Sequence, residues 1–327
     1  MRVRSAWLMA VLALTLCACN ERTLTPKSGG RPYEVVVVDD DNGVVARQLQ
    51  AEAEVLPQSE PQFDVRAVSG KQYNIATQTS RSIVVTAIDP KLSRTTVRYE
   101  YDVVARPQLI VYLTAPSSQR LHDDAHLWGP QLRKLFNSHE RNIAIAHLRA
   151  NRNIEAERRI EKMFGATMLV PADLRACKEG NQFLWFSTNT VEDMRNICLY
   201  TIPESGDFAT LRDSVMRVNI PGETDNMHMT TRRESLREER GERREERGER
   251  AGNRDIPLNQ SSELWRGLWE MENDAMGGPF TAIVVNDMPE GRRLVAEAFV
   301  YAPETTKRNK LRLTEAALYT LRTEGGK

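Results

Sequence analysis

Four valines in a row, Val35 to Val38, stop abruptly at Asp39-Asp40-Asp41-Asn42-Gly43. A short unbroken apolar run bounded by turn residues reads as a buried strand, which needs other layers packed on it. Helical spacing follows from Val44 to Val55, closed by Leu56-Pro57-Gln58-Ser59-Glu60-Pro61. Further strands are expected at 63–68, 82–88, 96–103 and 109–114. A long helix is expected from Gln131 to Phe164, with Leu132, Leu135, Phe136, His139, Ile143 and Ala146 along one stripe. Strands near 167–170, 183–186, 197–201, 280–285 and 294–301 and helices at 208–218 and 307–321 make a second half. The chain therefore reads as α+β, with mixed sheets and packed helices. Leu109 to Pro116 and Ala298 to Pro303 share a strand-to-helix phrase, suggesting two similar halves, 32–164 and 165–327, joined by the long central helix.

Forty-five basic residues balance forty-five acidic ones in the 327. Neither half carries the field that holds nucleic acid over a wide face. Charge is concentrated instead in a low-complexity insertion at about 230–256, where Arg237-Glu-Glu-Arg-Gly-Glu-Arg243 repeats unchanged as Arg244 to Arg250. Its heptad lacks apolar a and d positions, so it reads as a solvated helix or loop rather than a coiled coil.

The first residues read as an address. Arg2 and Arg4 precede an apolar stretch from Ala6 to Leu16, too short to be a permanent membrane span. Leu16-Cys17-Ala18-Cys19 then has the form of a bacterial lipobox, in which Ala18 supplies the small residue before the cut and Cys19 the lipidated thiol. Residues 1–18 are the expected signal peptide, and the polar stretch 19–31 (CNERTLTPKSGGR) the expected tether. Two or more acyl chains hold a protein stably on a bilayer. The acidic, glycine-rich signal of surface export does not follow Cys19, so the expected location is the outer membrane, facing the periplasm. In that oxidising compartment Cys177 and Cys198 read either as a disulfide or as two free thiols.

Few residues point to chemistry. His122 and His126 stand at i and i+4, the spacing of a helical zinc pair. Asp123 is shorter than the glutamate such a site uses, a third ligand is required, and a polar helix start is the plainer reading. Asp39, Asp41 and Gly43 miss the register of a calcium loop. The sequence has no phosphate loop, dinucleotide turn or nucleophile elbow, so no cofactor is expected. The densest segment is Trp265-Arg266-Gly267-Leu268-Trp269, followed by Met276-Gly277-Gly278-Pro279-Phe280. Trp265, Arg266, Trp269, Gly277 and Gly278 read either as a binding face for a glycan or protein or as a core hairpin, the latter preferred.

These last phrases, with Leu56-Pro-Gln-Ser-Glu-Pro-Gln-Phe63-Asp64, Ala105-Arg-Pro-Gln108 and Glu140-Arg141, resemble a family of Bacteroidota lipoproteins, domain of unknown function 4837. The resemblance spans most of the chain after the signal, apart from the Arg/Glu insertion. It implies an envelope lipoprotein with no assigned activity, so no catalytic residue follows from it. The expected function is a lipid-anchored envelope module that binds an envelope protein or glycan without catalysis. The alternative is a periplasmic hydrolase of envelope glycan or peptide.

Overall fold

In the computed structural model, which describes residues 25–190, 192–239 and 262–323, the valine run is β1 (Glu34–Val38). Around it lie α1 (Val44–Leu49), β2 (Asp64–Val68), α2 (Ile75–Gln78), β3 (Ser82–Ile88), β4 (Thr96–Tyr101) and β5 (Leu109–Ala115). The sheet order is β2-β1-β3-β5-β4, parallel throughout except for β4, which runs antiparallel to β5. Four valines in succession are explained by burial on both sides. Val35 and Val37 pack with Val45, Leu49, Leu132 and Phe136, while Val36 and Val38 pack with Ile83 and Ile110.

Two helices, α3 (Ser118–Asp123) and α4 (Ala125–Ala150), follow. The expected continuous helix to Phe164 is instead two. Pro130 is accommodated near the start of α4, whereas Asn151–Asn153 interrupt the helix, and α5 (Ile154–Phe164) begins afresh. The Asn153 side chain causes the restart by accepting from Ala156 N–H at 3.1 Å while donating to the Leu174 carbonyl at 2.8 Å.

The second half contains β6 (Ala166–Thr167), β7 (Ala176–Gly180), β8 (Phe183–Ser187), β9 (Met194–Pro203), α6 (Phe208–Asn219), β10 (Met229–Glu239), β11 (Ser262–Met271), β12 (Gly277–Met288), β13 (Arg292–Tyr301), α7 (Arg308–Glu315) and β14 (Arg322–Thr323). Seven strands form one antiparallel sheet, β10-β11-β12-β13-β9-β8-β7, and β14 pairs with β6. One face packs on α5 and the Ala316–Leu321 segment, the other on α6. The halves are therefore not alike: Leu109–Ala115 is an interior strand of a mainly parallel sheet, and its supposed counterpart belongs to an antiparallel meander.

Two more expectations change. The start of the Arg/Glu insertion is strand, because Leu236 joins the α6-facing core and Arg237, Glu238 and Glu239 pair with Arg266, Trp265 and Leu264. Residues 240–261 lie outside the described residues, as do the signal segment and Cys19. The end of the expected tether is bound to the first sheet: Ser28 N–H donates to Arg106 O and Gly29 N–H to Thr79 O, both at 2.9 Å.

The halves are locked by α7. Glu60 accepts from the backbone N–H groups of Lys307 (2.6 Å) and Arg308 (3.1 Å), supplying from a distant loop the cap that α7 lacks in its own sequence. Arg308 pairs with Asp64 at 3.2 Å, and Arg312 donates to Gln62 O at 2.7 Å with its guanidinium over the Tyr33 ring. On the other side of the junction, Arg141 of α4 lies 4.2 Å above the Tyr319 ring.

Candidate functional site

The tryptophan segment is a core hairpin. On β11, Trp265, Gly267 and Trp269 share the face turned to α6, as period-two alternation requires. Trp265 stacks on Phe208 with ring centroids 4.9 Å apart. Trp269 is 2% exposed, sits edge-on to Phe299 and donates from Nε1 to Val300 O at 3.3 Å. A Cβ at Gly278 would lie 2.0 Å from that same carbonyl, and one at Gly277 would lie 2.9 Å from Trp269 O, so only glycine admits the approach. Arg266 points through the other face and donates to Glu315 (2.6 Å), Glu239 (2.6 Å) and Thr281 (2.9 Å). Burial drives the Glu315 carboxyl upward, but Arg266 and the Thr281 hydroxyl outweigh it and hold the group below its ordinary range. These five residues therefore do not form an exposed binding face; they hold the second sheet together.

Sequence reasoning missed the most buried charge pair. Arg212 of α6 and Glu297 of β13 are both wholly inaccessible, joined by two hydrogen bonds of 2.7 and 3.0 Å. Tyr200 donates its hydroxyl to the same carboxylate at 2.8 Å, Thr231 accepts from Arg212 at 2.9 Å, and the guanidinium lies 4.1 Å over Phe280. Burial, with the adjacent Glu297 charge, pushes the Tyr200 hydroxyl well up. A single glutamate inside Leu294-Val-Ala-Glu297-Ala-Phe299 was the available signal.

The histidine pair is divided. His122 lies in the last turn of α3, His126 in the first turn of α4, and the break at Asp124 between them divides the common helical face. Both are exposed, and His126 Nδ1 lies 2.9 Å from Asp123 O. Among the described residues no three His, Cys, Asp or Glu side chains gather as a metal site would need. His139 is buried, its Nε2–H donating to Arg81 O at 3.1 Å. Burial lowers it to about 4, the backbone bond partly opposing. Its neighbour Glu140 accepts from Ser82 at 3.1 Å and faces Arg81, yet burial still raises it.

The cysteines are both free. Cys177 aligns with Phe186 on β8, and Phe186 with Ile197 on β9, so Cys198 is two strands away and points to the opposite face. Two strand spacings are about 10 Å, beyond the reach of a disulfide, so of the two alternatives the free thiols are the one found, for a geometric reason.

The concave feature nearest Cys177 is a groove of about 400 Å³ between the start of α5 and edge strand β7. Arg152, Arg159 and Arg175 reach it from three places in the chain, with Asn153 and Phe186 in its wall. Arg152 pairs with Glu157 at 3.3 Å, and Arg159 pairs with Glu155 at 3.2 Å and Glu179 at 3.4 Å. Arg175 stands exposed on the rim. Burial raises the Cys177 thiol more than Arg159 lowers it, so the sulfur is a poor nucleophile. The groove thus gathers guanidinium groups beside the Glu155 carboxylate, which also lines it.

Residues 153–320 match the family described as domain of unknown function DUF4837, and residues 28–149 match a second domain of unknown function, DUF8532. No curated protein matches the chain. Among solved structures, the Ran-binding protein Mog1p of Saccharomyces cerevisiae is similar at 11% identity and TM-score 0.27, over 48% of this chain and 89% of that one. A single-substitution mutant of Mog1 is similar at 9% identity and the same TM-score, over 48% and 90%.

Proposed function

The chain belongs to the DUF4837 family, and from that premise we propose that it is a lipid-anchored envelope protein acting as a non-catalytic binding module. The observation that carries the reading is the internal pairing of its buried charge. Arg212 pairs with Glu297, Arg266 with Glu315 and Arg308 with Asp64, while Glu60 caps the α7 backbone, so these charges are engaged in holding the fold. The arginine-lined groove beside β7 is then the docking place for an acidic group of an envelope protein or glycan.

The anchor is Cys19, supported by the charge, apolar and small-residue pattern around it. The location that fits is the outer membrane, facing the periplasm. Two measurements test the whole reading. Labelled palmitate is expected to enter the protein, and Cys19→Ser to release it from membranes; label-free protein that still sediments unchanged refutes the anchor. In-cell crosslinking is expected to attach a neighbour that Arg159→Glu with Arg175→Glu loses while the fold stays intact. An unaltered crosslink removes the groove from the binding function.

A further inference from the structure

We propose that the end of the first sheet where β1, β3 and β5 begin is a membrane-contact face that rests on the phospholipid surface. The inference rests on the acylation of Cys19 proposed above and adds the orientation of the module. From Cys19 to Pro26 is seven residues, a reach of at most ~25 Å even when fully extended. At Pro26 the chain is already bound, since Arg106 N–H donates to Pro26 O at 2.8 Å and Arg81 N–H to Gly29 O at 2.9 Å. The anchor therefore leaves the body beside the β4–β5 turn, at this end of the sheet, and holds this end toward the bilayer.

The same end presents the side chains a lipid surface takes up. Gln108, wholly buried, accepts from Val104 N–H (2.9 Å) and donates to Gln78 O (2.6 Å) and Ser80 O (2.8 Å), fixing the β4–β5 turn next to the end of α2. On these two segments Ile75 is 78% exposed and Val103 47% exposed, and Pro107 and Pro26, the latter bound at Arg106, are exposed too. Large apolar tips on otherwise well-packed loops, within reach of an acyl anchor, have a bilayer interface as their natural occupant. The charge agrees. Asp102 is tied to Arg106 at 3.0 Å and to Gln108 N–H at 2.9 Å, while Lys27, whose backbone bridges to Arg106, is exposed.

The test uses the full acylated chain in a Cys177→Ser background. Single thiols at Ile75→Cys, Val103→Cys or Ile88→Cys carry an environment-sensitive fluorophore. Ile88 is the internal control: it is 46% exposed but closes β3, about 20 Å along the strand from the proposed contact. On phosphatidylethanolamine–phosphatidylglycerol vesicles with brominated acyl chains, quenching at 75 and 103 is expected to exceed that at 88 several-fold. Equal quenching at all three positions, on protein whose acyl chains are confirmed by mass, overturns the proposal and leaves the anchor standing. Protein without acyl chains overturns the anchor itself. A label shielded in native envelopes but unquenched on pure lipid puts a protein on this face and also overturns the proposal.

Discussion

Glu60 and Lys307, 247 residues apart in the chain, meet at 2.6 Å, the carboxylate of the first closing the start of the helix that follows the second. Removing the carboxylate leaves the first turn of α7 without its cap and unfastens one side of the junction between the halves. Glu60→Ala is expected to lower stability by about 1–2 kcal/mol, read as a fall in the urea midpoint, with Glu60→Gln recovering part of the loss.

Arg212 and Glu297 make a sharper prediction. Truncating either strands a charge in a site without water, so Arg212→Ala is expected to cost about 3–5 kcal/mol. Replacing both, Arg212→Met with Glu297→Leu, removes the stranded charge and is expected to recover most of that in the same denaturation experiment. A double variant as unstable as the single one refutes this account.

Acid sensitivity is expected to centre on His139. Its folded value of about 4 lies below its ordinary 6.5, so the unfolded chain binds more protons between these values. Stability is thus present above pH 6.5 and lost as pH falls toward 4, by about 3 kcal/mol at the lower end. Glu140, raised chiefly by burial, acts in the opposite sense, binding its proton more readily when folded. Comparing wild type with His139→Gln isolates the histidine: the variant's urea midpoint should fall less steeply across this range.

Trp269→Ala is expected to act on the fold rather than on a surface. Emptying its site between Phe299 and Tyr301 should cost about 3–5 kcal/mol. Gly278→Ala should lower the melting temperature too, through the approach to Val300 O. A Trp269→Ala protein with native melting and weakened partner capture would restore the exposed-face reading.

The parts of this fold legible in the sequence are those with local causes. Val35 to Val38 announce a strand because burial on both faces removes alternation, and Trp265 with Trp269 suit a core hairpin. What the sequence concealed was long-range. The partner of α7 lies in the loop around Glu60, and no spacing rule links them. Twenty positions between Cys177 and Cys198 say nothing about strand order or face, which alone determine whether the sulfurs meet. The helix break at Asn153 was readable in principle, since an asparagine three residues before Ala156 is an ordinary cap, but the apolar stripe ran past it. The groove arginines were hidden among the many charges that surround them.

The ladder that holds the first residues of the Arg/Glu repeat bears on its length. Glu239 and Leu264 sit on one rung, so both ends of the intervening stretch are fastened to neighbouring strands whatever its length. For a flexible connection between these two ends, one heptad more or less would change the closure entropy by only about 0.2 kcal/mol. A change in copy number beyond Glu239 would thus leave the Glu239–Leu264 rung and every pairing below it in the sheet as they are.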